Sequence, residues 1–102
     1  MSGTPNPYRH QYETVAASQT QQVLGGTGAT GDFLHRIVVN VTTTATSAFS
    51  IIDGSTTILS VANSVLANGQ YNYEFNIASQ NGAWKVTTGA GVSVIGIGAF
   101  TQ

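Results

Sequence analysis

Residues 71–100 read YNYEFNIASQNGAWKVTTGAGVSVIGIGAF, and this stretch decides the fold class. Tyr71, Tyr73, Phe75 and Ile77 alternate with Asn72, Glu74, Asn76 and Ala78, a period of two that puts aromatic groups on one strand face and polar groups on the other. Asn81-Gly82 supplies residues that tolerate positive φ, so the chain is expected to reverse there as a hairpin. Residues 83–88 return, Gly89-Ala90-Gly91 turns again, and residues 92–100 run out as a third strand with Val, Ile and small residues on both faces.

Outward from this stretch the pattern repeats. Residues 48–53 and 56–61 pair around Asp53-Gly54-Ser55, with Gly54 at positive φ, and residues 62–70 form a loop in which 65–67 offer one helical turn. Residues 32–43 make a long β-branched strand whose expected core face is Phe33, His35, Ile37, Val39 and Val41, leaving Leu34, Arg36, Val38 and Asn40 on the other side. Residues 12–16 and 19–24 add two short strands. No segment has a helical period of ordinary length. About eight short strands with frequent turn signals give an all-β, antiparallel two-sheet sandwich of the jelly-roll type.

The expected organisation is an extended N-terminal arm over residues 1–14 and a single sandwich domain over 15–102. The arm carries Pro5 and Pro7 and then a cluster of Tyr8, Arg9, His10 and Tyr12. Aromatic and arginine side chains are the usual anchors of a docking tail, so Tyr8, Arg9 and Tyr12 are candidates for binding a partner.

Composition excludes several classes of function. Only 7% of the residues are charged and the net charge is −1, so Arg9, Arg36 and Lys85 cannot make the basic stripe that displaces phosphate counterions; no nucleic-acid partner is expected. The absence of cysteine removes disulfides, thiolate metal sites and thiol catalysis. The opening residues lack the apolar core of a signal peptide, and no run approaches the roughly 20 apolar residues that span a bilayer. Synthesis in a cytoplasm and no membrane partner are the expectation.

The chemistry-bearing residues are few. Gly26-Thr27-Gly28-Ala29-Thr30-Gly31 matches G-x-G-x-x-G, but a β-branched strand follows it where a dinucleotide site needs a helix, so it reads as a connection. A serine nucleophile would need His35 or His10 with Asp32, Asp53, Glu13 or Glu74, and no local signature holds such a set together. Asp53 in a turn and Glu74 on a polar strand face are explained by solubility. Two histidines cannot supply a zinc site without distant carboxylates. Neither cofactor, metal nor catalytic residue is expected. Trp84 sits among ordinary strand residues and reads as a core or interface residue rather than a sugar platform.

GATGDFLHRIVV, IIDGSTTI and above all NGAWKVTTGAGVSVIGIGAFT resemble the small structural virion proteins of tailed bacteriophages over residues 24–101. The resemblance implies a non-enzymatic particle component: a capsid decoration or cement protein, made in the host cytoplasm, that sits on the outer surface of the head and binds the major capsid protein. It carries over no site residue. The alternative is a receptor- or glycan-binding module of a tail fibre or spike, which would present Trp84 or a loop tyrosine to a sugar.

A two-layer sandwich buries one face of each sheet, so strands apolar on both faces point to a further partner. Leu34 and Val38 lie opposite the expected core face of residues 32–43, Ile52 opposes Phe49 and Ile51, and Ile95 and Ile97 oppose Val92, Val94 and Phe100. Leu34, Val38, Ile95 and Ile97 are therefore the candidate interface of a homo-oligomer. The virion resemblance favours a trimer over a dimer.

Overall fold

A computed structural model describes residues 11–102. Eight strands follow in chain order: β1 (Gln11–Val15), β2 (Gln22–Val23), β3 (Phe33–Val41), β4 (Phe49–Asp53), β5 (Thr56–Val61), β6 (Gly69–Ala78), β7 (Trp84–Thr88) and β8 (Val92–Ala99). The single helical turn among the described residues is a 3-10 turn at Thr44–Thr46, rather than at the expected residues 65–67.

The strands form two antiparallel four-stranded sheets, β1-β8-β3-β6 and β2-β7-β4-β5. The pairs β1 with β8, β2 with β7, β3 with β6 and β4 with β5 make the chain one long double-stranded ribbon, closed at its tip by the β4–β5 turn. Wrapped so that β8 meets β3 and β7 meets β4, this ribbon is a jelly roll.

That topology corrects the expected meander. β6 and β7 lie in different sheets, as do β7 and β8, so the Asn81-Gly82 and Gly89-Gly91 turns carry the chain across the sandwich instead of closing hairpins. β4 and β5 do pair around Gly54, whose φ is 62°. The arm boundary also moves. Gln11, Tyr12, Glu13 and Thr14 belong to the sheet, because they pair with Gly98, Ile97, Gly96 and Ile95 of β8. The expected strand 19–24 shrinks to Gln22–Val23, since Ser18 and Gln21 have φ of 63° and 47° and the hydroxyls of Thr88 and Thr87 accept the N–H groups of Gln19 and Gln21.

Val15, Ile37, Val39, Val41, Val92 and Val94 from one sheet meet Phe49, Ile51, Trp84 and Val86 from the other, all buried. Tyr73 and Phe75 close the β6 side by edge contacts, Tyr73 with Phe49 at 5.9 Å and Phe75 with Trp84 at 6.2 Å between ring centroids. The run of inward residues stops at Asn76, whose φ of 51° breaks the alternation and leaves Ile77 on the surface instead of beside Phe75.

Gly96 and Gly98 sit where the fully buried Leu24 and the nearly fully buried Phe100 close one end of the core. A Cβ on Gly96 would come within 2.9 Å of Leu24 Cδ1, and one on Gly98 would lie 2.0 Å from the backbone carbonyl oxygen of Phe33. A leucine end can swing aside; a paired strand carbonyl cannot. Gly98→Ala is therefore expected to cost about 3 kcal/mol or more, and Gly96→Ala about 1 kcal/mol. Urea unfolding of the two variants tests this order, and equal losses would mean that the Phe33 carbonyl yields.

Candidate partner-binding surface

Three of the chain's four carboxylates are committed to holding loops. Asp32, 1% exposed, accepts the N–H groups of Ala29 (3.0 Å) and Thr101 (2.9 Å) and the hydroxyl of Thr101 (2.7 Å). Its backbone carbonyl takes the Trp84 indole N–H at 2.9 Å and the Ser79 N–H at 2.8 Å. Asp53, 5% exposed, accepts the N–H groups of Gln80 and Asn81 at 2.9 and 3.0 Å, tying the β6–β7 crossing to the β4–β5 turn. Glu13 accepts the Gly25 N–H at 2.7 Å and the Gln22 amide at 3.0 Å. The solubility reading of Asp53 is thus replaced by a structural one, and only Glu74 stands on an exposed strand face.

The same accounting covers the other motifs. His35 Nδ1 lies 2.6 Å from the Asn76 side-chain oxygen. The glycine loop turns its N–H groups to the chain itself: Thr27 and Gly28 donate to the Thr101 carbonyl at 3.3 and 2.9 Å, and Gly26 donates to the Gln102 side chain at 3.1 Å. Positive φ at Gly25 and Gly28, 94° and 66°, produces this curvature. Among the described residues no group of three or more His, Cys, Asp or Glu could hold a metal ion. Trp84 is 1% exposed, so no sugar can stack on it.

What remains free is the outer face of the β1-β8-β3-β6 sheet. Pairing sets two rows across it. Thr14, Ile95, Val38 and Asn72 form one row, and Tyr12, Ile97, Arg36 and Glu74 form the other. In the first row the apolar Ile95 and Val38 meet on the central strands β8 and β3; in the second Ile97 stands between Tyr12 on β1 and Arg36 on β3, and the β6 edge is polar in both. Gln11, Tyr12, Val38, Ile95 and Ile97 line an open hollow of about 460 Å³, and Tyr12 is 74% exposed. Arg36 reaches the Asn72 side-chain oxygen at 3.5 Å. The opposite sheet is different: its corresponding central row is Thr87, Ser50 and Ser60, hydroxyls throughout.

Of the candidate interface residues, Val38, Ile95 and Ile97 come together on this face. Leu34 does not. A register shift between Leu34 and Arg36 inserts one extra residue, His35, into β3 against β8, and Leu34 turns inward to 0% exposure beside the face of Ile37, Val39 and Val41. His35 and Phe33, expected in the core, are half-buried outside it. Tyr12 joins the hollow from β1, whereas Tyr8 and Arg9 lie outside the described residues.

No family model and no curated protein sequence matches the chain. Among solved structures the chain is similar to the Tobacco streak virus coat protein in a dimer, at 11% identity over 95% of this chain and 89% of that chain with a TM-score of 0.34. It is also similar to the CBM22-1–GH10 modules of a Clostridium thermocellum endo-1,4-β-D-xylanase complexed with xylohexaose, at 13% identity and a TM-score of 0.33, over 96% of this chain and 25% of that one. Similarity at this level carries no functional argument, and the jelly-roll topology rests on the strand pairing alone.

Asp32→Ala removes the acceptor of two backbone N–H groups and one hydroxyl in a buried site. At about 1–3 kcal/mol for each buried group left without a partner, a loss of about 3 kcal/mol or more is expected. The melting temperature should fall by more than about 10 °C. Glu74→Ala, on the exposed strand face, should change stability by less than about 0.5 kcal/mol. Calorimetry of both variants checks the contrast.

Proposed function

We propose that this chain is a non-enzymatic structural protein of a tailed-phage virion, a decoration or cement protein that binds the major capsid protein on the outer surface of the assembled head. The observation that carries the reading is the division of labour in the sandwich. Three of its four carboxylates and its glycine loop are consumed in holding the fold, while one sheet face presents Tyr12, Val38, Ile95 and Ile97 around an open hollow. That suits permanent assembly better than turnover. A low charge density and a closed jelly roll serve the same end, and the resemblance over residues 24–101 points to the same class of protein. The tail-fibre reading loses its main sugar platform with Trp84 buried.

In this reading residues 1–10 are the capsid tether, with Tyr8 and Arg9 as anchors and Tyr12 adjoining them on β1. The truncation that tests it must stop at residue 10, because the Gln11 side chain accepts the Phe100 N–H at 2.9 Å and belongs to the fold. The shortened protein is expected to melt within a few degrees of the full chain and to lose attachment to capsids. Unchanged occupancy would refute the tether. Densitometry of purified particles tests the function as a whole: many copies per particle fit a decoration protein, and a few copies would fit a fibre component instead.

A further inference from the structure

We infer that the outer face of the β1-β8-β3-β6 sheet is a self-association surface whose occupant is the same face of a second copy of this chain. This inference stands independently of the capsid reading. The face has an apolar centre of Ile95, Ile97 and Val38 on the two middle strands, with Arg36 beside Ile97 on β3, an exposed tyrosine on β1, and amide, hydroxyl and carboxylate groups at the border. Tyrosine is among the residues that most often carry binding energy at such a site.

Three properties select a second copy as the occupant. The face carries one cation and one carboxylate, Arg36 and Glu74, as direct neighbours across β3 and β6. It is therefore neutral as a whole and complementary to itself, since a rotated copy can set its carboxylate against the other's guanidinium. A strongly basic or acidic partner would find nothing here to steer it. The chain's net charge of −1 adds little repulsion between copies. The size is also suitable. Four strands about 4.8 Å apart and eight residues rising about 3.3 Å each give a projected footprint of about 500 Å². Allowing for corrugation, this is of the same order as the roughly 800 Å² that each partner buries in a standard interface. The hydroxyl row Thr87-Ser50-Ser60 on the opposite sheet offers no comparable apolar centre.

The test is the solution mass of the full chain at about 100 μM, measured by light scattering behind size exclusion, with three proteins compared. The wild type is expected to run at twice its 10.6 kDa, because a face that binds its own copy closes with two chains. Ile97→Glu, which puts a charge at the centre of the face, should weaken association at least about tenfold and run as a monomer with an unchanged β-sheet circular dichroism spectrum. Ser60→Glu, on the opposite sheet, should assemble as the wild type does. If Ile97→Glu fails to fold, Val38→Lys is the replacement, with the same expected loss. A wild-type protein of 10.6 kDa at this concentration would overturn the inference and leave the face to another partner. A folded Ile97→Glu or Val38→Lys protein with wild-type mass would overturn it as well.

Discussion

The carboxylate of Asp32 joins segments that are distant in sequence and adjacent only in the finished sandwich. It stands at the start of β3, yet it binds the glycine loop through Ala29 and the segment after β8 through Thr101, while its carbonyl receives Trp84 of the opposite sheet. A buried carboxylate is tolerated only when its oxygens are supplied with donors, and here both oxygens are. The indole is fixed by the same residue, so the largest side chain of the core inherits its position from this network. Closing the ends of the two sheets thus relies on polar groups wherever side-chain packing alone leaves direction unspecified.

The sequence showed the strands more clearly than their partners. Alternation in Tyr71, Tyr73 and Phe75 and the β-branched run of β3 are local signals, and each produces a strand where it is read. Whether a turn closes a hairpin or crosses between sheets depends on what its flanks meet far away, and Asn81-Gly82 serves either purpose. Here the decisive group is Asp53, which captures the N–H groups of Gln80 and Asn81 and draws the turn across the sandwich end. Nothing adjacent to residues 80–82 in sequence announces it.

The candidate surface was legible in the same partial way. Ile95, Ile97 and Val38 could be assigned outward because alternation in β8 and in the second half of β3 is unbroken. Leu34 could not, since one extra residue at the bulge reverses every side chain on its far side, and a bulge of this kind leaves no mark in FLHRIVV. Tyr12 falls where the expected arm 1–14 overlaps the expected strand 12–16, because five residues of edge strand carry too little pattern to separate them from an extended tail. The committed carboxylates were hidden for a related reason. Asp53 looks like a turn residue and Asp32 like the start of a strand, and only the fold reveals which N–H groups they collect.

Placing β1 at the edge of the β1-β8-β3-β6 sheet also puts the start of the described residues, Gln11 and Tyr12, at the rim of the hollow. Copies joined through that face would bring those starting points together. If the first ten residues bind a capsid as proposed, each would then meet a surface already occupied by its neighbour, at a raised effective concentration. Attachments too weak to hold one subunit can hold an assembly, because each release is followed by rebinding before the others let go. Affinity for a repeating lattice would come from number, and an isolated chain would stay unbound until both the assembly and the lattice exist.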